Sequence, residues 1–198
     1  MPQSILEQIQ ERLLTPGELK VHVDDPLAAR RLRLTLNLLF REQRLQPRRP
    51  VAVVCIGTDR STGDALGPLV GARLAAASMD NVYTYGTLEQ PVHASNLAQT
   101  IAEVQAACPG SFVIAIDACL GRSENIGIVT VGRGALKPGA GVNKSLPPVG
   151  DIYLTGIVNV GGFMEYFVLQ NTRLSLVMRL AGVIADALIW SIQDLRSA

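Results

Sequence analysis

A three-layer α/β domain, with a mostly parallel or mixed central sheet between helices, is the fold the sequence predicts, and three observations lead to it. Residues 51–56 are an unbroken apolar run of strand length that stops at Gly57, the pattern of a strand covered on both faces. A polar loop follows, and a small-residue apolar segment, 65–77, then reads as a helix with Asp64 where it begins. A second unbroken run, 111–119, carries Asp117 near its end. Strand, loop and helix alternate in this way along the chain, which makes α/β the first choice of fold class.

Taken in order, residues 4–14 place Ile5, Ile9, Leu13 and Leu14 at helical spacing, and Thr15, Pro16 and Gly17 stop the segment. A second helix is predicted to start at Asp24, Asp25 and Pro26, with an acidic cap and a proline in its first turn, and to run through Leu32, Leu36 and Phe40. His22 falls in a charged linker before it. Residues 46–50, bounded by prolines, lead into the first central strand. The N-terminal helical segment, 1–50, is expected to pack on an α/β core formed by 51–198, the two making one domain. Further strands are predicted at 81–86, 111–119, 126–132 and 151–160. A helix is predicted over 96–107, with Ser95 as its candidate cap and Pro109 and Gly110 ending it. A glycine- and proline-rich loop occupies 137–148, and Gly161 and Gly162 lead toward a helix over about 172–195. Leu176, Leu180, Val183, Ile184, Ala187 and Trp190 form the apolar side of that helix. There are no internal repeats and no low-complexity segment.

The 198 residues suffice for one domain with a full core, and 48% hydrophobic against 18% charged residues excludes a disordered chain. A formal net charge of +1 gives no global reason to expect nucleic-acid or membrane binding. The arginines at 30, 31, 33, 41, 44, 48 and 49 read as a solvated helix face. Three cysteines, Cys55, Cys108 and Cys119, without CxxC spacing, fit buried free thiols in a reducing compartment. The polar, amphipathic N-terminus does not read as a signal peptide, and no uninterrupted apolar run reaches the ~18 residues of a membrane span. The expected location is cytoplasmic.

Two carboxylates stand out. The ordinary reading of Asp64 is a helix cap accepting backbone N–H groups, which is compatible with a functional role. Asp117 is harder to explain structurally, because a carboxylate inside an apolar strand is costly to bury unless it is paired or lies at an opening. If both strands are central and parallel, the two aspartates share the carboxyl rim of the sheet, where open α/β folds bind ligands. They are expected to face a common cleft within reach of one bridging water. Such a pair can share a proton, one carboxylate acting on water while the other donates. His93, beside Glu89 after the second strand, is either a loop residue or a ligand joining the aspartates around a divalent metal. Cys119 lies two residues from Asp117, but no motif sets a base beside it. Residues 57–67 lack phosphate-loop spacing. The 139–144 loop offers backbone N–H groups and the Lys144 ammonium to an oxyanion, or is simply a loop.

Three segments occur in the order seen in the spore germination proteases: Ser-Thr-Gly-Asp-Ala-Leu-Gly-Pro at 61–68, Ile-Asp-Ala at 116–118 and Lys-Pro-Gly-Ala-Gly-Val-Asn-Lys at 137–144. That likeness covers most of 51–162, and the three ordered motifs are more specific together than the first alone. As a whole the chain resembles the short sporulation proteins of the YyaC type, a match that includes Gly-Thr-Leu-Glu-Gln-Pro-Val-His-Ala-Ser-Asn-Leu at 86–97. The germination proteases share an α/β fold with the hydrogenase maturation proteases and are regarded as atypical aspartic peptidases. The resemblance implies a sporulation-associated peptidase of the forespore or spore core, with Asp64 and Asp117 as its catalytic aspartates. His93, Asn143 and Lys144 are second-rank, substrate-binding candidates. In hydrogenase maturation proteases the equivalent acids join a histidine in holding nickel; here His93 is the only candidate, and the site is expected to work without metal or other cofactor. The chain is much shorter than a germination protease and has no recognisable self-cleaved propeptide. The partner implied is a protein or peptide substrate, with small acid-soluble spore proteins as the first candidates, and a homo-oligomer is compatible with it. The alternatives are a non-catalytic sporulation interaction protein on the same fold and a metal-dependent maturation-type protease.

Overall fold

The computed structural model describes residues 18–138, 146–162 and 164–197, so the helix expected at 4–14 lies outside the described residues. In chain order the strands are Leu19–His22 (β1), Val51–Cys55 (β2), Val82–Tyr85 (β3), Phe112–Gly121 (β4), Ile128–Arg133 (β5) and Ile152–Val160 (β6). The helices are Ala28–Glu42 (α1), Leu66–Ala76 (α2), Leu97–Ala107 (α3), Glu165–Gln170 (α4) and Leu174–Ser197 (α5). One sheet joins the six strands in the order β1-β5-β6-β4-β2-β3. Strands β3, β2, β4 and β6 run parallel, β5 is antiparallel to β6, and β1 is antiparallel to β5. The expected mixed α/β sheet is therefore the one observed.

Every residue of β2 is buried. Its side chains alternate between two cores, as strand geometry requires. Val51, Val53 and Cys55 join Leu32 and Leu36 of α1, Leu66 and Val70 of α2, and Leu180 and Ile184 of α5. Ala52 and Val54 face the other way, against Leu97 and Val104 of α3. Each large side chain buried in these layers contributes about 1.5–3 kcal/mol relative to exposure. Helix α5 is long and apolar enough to cross a membrane by length and composition alone, with mean hydropathy 1.6. Half of that window is buried against the rest of the protein, and Val177, Leu180, Ile184, Leu188 and Ile192 lie in the core, so it packs here as a core helix. Asp194 near its end accepts from Arg33 Nε at 2.7 Å, Arg33 Nη2 at 2.5 Å and Asn37 Nδ2 at 2.7 Å, which ties α5 to α1.

Two elements differ from the sequence reading. Residues 19–22 form an edge strand where a linker was expected: Leu19 and Val21 are buried while Lys20 and His22 are exposed. Four residues beside a charged run carry too little period-2 signal to stand out. His22 Nε2 lies 3.0 Å from the Ile126 carbonyl, so this histidine belongs to the β1–β5 edge. The short helix α4 was not anticipated after Gly162; none of its residues is buried, so it has no apolar stripe to read.

The connections set up the site. From β2 the chain crosses through α2 to β3 on one side, then returns through α3 to β4 on the other side of β2. Adjacent strands β2 and β4 therefore send their onward connections in opposite directions. Such a switch point opens a crevice beyond the carboxyl ends of its strands.

Candidate functional site

At the end of β2 the chain turns through Gly57 into a tight one-turn helix, Gly63–Ala65, that carries Asp64. The turn sits directly on the strand. The Thr58 N–H donates to the Asp64 carbonyl at 3.2 Å, and a Cβ on Gly57, whose φ is +141°, would lie 1.9 Å from that carbonyl oxygen. At the start of α2, a Cβ on Gly67 would lie 2.0 Å from the Ile56 carbonyl oxygen. Only glycine permits both approaches. Asp64 makes no capping bond to α2, whose first flanking residue is Ala65 without a side-chain cap, so the capping reading of Asp64 does not hold. Burial instead pushes the Asp64 carboxyl above the ordinary aspartate value, with the Thr58 backbone N–H and nearby His93 pulling against it.

Strand β4 carries Asp117 just past the level at which β2 ends. Cys55 is opposite Ile116, and the Ile56 N–H donates to the Ile116 carbonyl at 2.7 Å. Asp117 is 8% exposed and stands in register with Thr155 of β6. The strand runs two residues beyond the predicted 111–119, to Gly121, with a register irregularity between Cys119 and Leu120. Bulges of this kind re-aim side chains, and they cluster beside functional sites.

His93 arrives from the loop after β3. Val92 forms a parallel bridge with Ile56, and the Gly57 N–H donates to the Val92 carbonyl at 2.7 Å, which brings the loop to the tip of β2. The His93 backbone N–H donates to Asn96 Oδ1 at 2.7 Å, and the Ser95 N–H donates to His93 Nδ1 at 3.3 Å. A neutral His93 ring therefore carries its proton on Nε2. The residue flanking α3 is Asn96, which makes no side-chain cap bond to the helix, so Ser95 does not serve as its cap.

Asp64, His93 and Asp117 all line one cavity of about 550 Å³. Its walls come from both layers. Leu136 and Leu146 pack against the α3-side core, and Leu169 of α4 packs against the opposite one. Arg60, Ser61, Lys137, Thr155, Glu165 and Tyr166 also reach it. Of these, Ser61 and Lys137 stand in the motifs quoted above, and Arg60 and Thr155 in the loop and strand read from sequence beside them; Glu165 and Tyr166 carried no signal, because their place depends on how α4 folds back. Asn143 and Lys144 lie outside the described residues. Cys119 borders the cavity as well, but burial pushes its thiol up to about 11, with Thr155 pulling against that shift and Asp117 adding to it. It is protonated at neutral pH and has no thiolate character to offer. Among the described residues, no group of three or more His, Cys, Asp or Glu side chains is arranged to hold a metal ion. Asp64, His93 and Asp117 share a cavity without composing the donor set that the nickel resemblance requires. What the arrangement offers chemically is two carboxylates in a partly desolvated crevice, one of them biased toward its protonated form.

A family model described as a protein of unknown function (DUF1256) matches residues 20–187. The uncharacterized protein YyaC of Bacillus subtilis (strain 168) is 52% identical over 164 residues, 83% of this chain and 78% of that protein. Among solved structures, the nickel–iron hydrogenase maturation protease HycI from Thermococcus kodakarensis KOD1 is similar with a TM-score of 0.43 and 20% identity. That likeness covers 70% of this chain and 92% of the other.

Proposed function

We propose, for a chain that belongs to the family described as protein of unknown function DUF1256, that the cavity hydrolyses peptide bonds by acid/base chemistry of Asp64 and Asp117. One observation carries the reading: both carboxylates line a single crevice at the switch point of the sheet. Asp64, raised by burial, holds the proton, and Asp117 acts as the base. Asp117 takes a proton from water as the water oxygen bonds to the peptide carbonyl carbon. The carbon–nitrogen bond then breaks as Asp64 gives its proton to the departing amine. His93, with Nε2–H as a donor, binds substrate. The setting is sporulation, in the forespore or spore core, and the first substrates to examine are small acid-soluble spore proteins.

The test is turnover by purified wild type and by Asp117→Asn and Asp64→Asn. Each substitution is expected to lower kcat by about 10²–10⁴, the usual contribution of a general acid or base. The double variant is expected to lose little more than either single one, since the residues act as a unit. Cleavage by the double variant at the wild-type rate would eliminate the pair. A wild type that binds these proteins without cleaving them, and still binds after both substitutions, would mark an interaction protein instead.

A further inference from the structure

Large apolar side chains are unevenly exposed on this surface. Of the nine exposed ones among the described residues, six fall within 160–178, including Met164, Tyr166, Phe167 and Met178. Soluble domains scatter such residues singly, and a cluster beside a cleft marks a contact surface. Tyr166 connects the cluster to the site, because it is 62% exposed and also lines the cavity that holds Asp64 and Asp117. Its ring is set by its neighbours. Phe167 meets it edge-on with centroids 5.7 Å apart, and Gln170 Nε2 donates to its hydroxyl at 3.0 Å. The helix beneath is anchored. Asn159 Nδ2 donates to the Val168 carbonyl at 3.2 Å, and Leu169 packs closely over Gly63, next to Asp64 in the same turn. Leu120, Leu136, Leu146 and Leu169 give the cavity an apolar portion of its wall, beside the polar and charged side chains named above. A bulky apolar substrate side chain would gain by burial against these leucines, whereas a polar one placed there would be desolvated.

We infer that Tyr166 and the leucine walls form a subsite that selects an extended peptide segment with bulky apolar side chains next to the bond presented to Asp64 and Asp117. Tyr166 is thus a specificity-determining residue. The inference rests on the peptidase reading for its substrate, and a binding measurement separates the two. The receptor is the full-length Asp117→Asn protein, and the probes are two short fluorescein-labelled peptides read by anisotropy. One carries a phenylalanine–leucine pair at its centre and the other a serine–glycine pair. The apolar peptide is expected to bind at least about tenfold more tightly, the effect of one well-placed aromatic anchor. Tyr166→Ala in the same background should erase that preference, whereas Tyr166→Phe keeps it within about twofold. Tyr166 is exposed on a surface helix, and an unchanged thermal midpoint verifies that each variant is folded. Equal binding of the two peptides, absence of binding by both, or an undiminished preference in Tyr166→Ala would overturn the subsite. Turnover by wild type against Asp117→Asn reports separately on the carboxylate pair. A subsite that selects apolar peptides in a protein that cuts none would sink the peptidase reading and leave the subsite standing.

Discussion

Asp64 is a carboxylate whose surroundings favour its protonated form, and that has a thermodynamic signature. Its folded value is raised, chiefly by burial, so the folded chain binds a proton that the unfolded chain releases. Below the ordinary aspartate value both states are protonated, and the group costs nothing. As pH rises through that value the unfolded state ionises first, and the folded state loses stability until its own raised value is passed. This is the reverse of a salt-bridged aspartate. Asp64→Asn is therefore expected to be more stable than wild type at pH 7 and to lose that advantage near pH 3. Urea midpoints at the two pH values provide the measurement. A variant less stable than wild type at pH 7 would show that Asp64 is held mainly by favourable partners. Higher stability together with lost turnover is the combination expected of a residue kept for chemistry rather than folding.

At the scale of the element, the turn that carries Asp64 depends on backbones meeting without side chains between them. Gly67→Ala puts a methyl group 2.0 Å from the Ile56 carbonyl oxygen, so α2 must lift off the tip of β2. The expected cost is about 1–3 kcal/mol, the usual penalty of overpacking, with turnover falling further because Asp64 moves with the helix. Thermal unfolding and kcat together check this, and an unaffected midpoint would mean that the turn yields freely. How far such elements are legible depends on where their information resides. The buried strands β2 and β4 announce themselves because covering both faces demands an unbroken apolar run. Asp117 is conspicuous for the complementary reason that a charge interrupts such a run, and Asp64 because it stands where the loop after β2 gives way to a helix. Helix α4 and strand β1 are hidden because six residues with none buried, or four at an edge, give too short a pattern to read. Strand β4 ends two residues beyond the predicted 111–119 run because its pairing with β6 continues to Gly121, past the last residue of the apolar run. Tyr166 and Leu146 reach the cavity by tertiary folding alone, which no local pattern encodes.

Across the whole molecule, helices α1 and α5 are joined through Arg33, Asn37 and Asp194. The Arg33 guanidinium, through its hydrogen bonds, holds the Asp194 carboxyl below the usual range, opposed by partial desolvation and helped by Asn37. That contribution is present above the ordinary aspartate value and is lost as pH falls through the lowered one. Because the pair is partly exposed, Asp194→Ala is expected to cost only about 0.5–1 kcal/mol at pH 7, read as a shift in urea midpoint that shrinks at acid pH. The order of the strands has a different kind of consequence. Asp64 and Asp117 both precede β6, yet Asp117 takes its register from Thr155, and the turn bearing Asp64 is covered by Leu169. A chain emerging from the ribosome exposes both aspartates well before the strand and helix that enclose them have been made. Under the peptidase activity proposed above, this timing is a form of latency: the nascent chain carries its acids but no crevice.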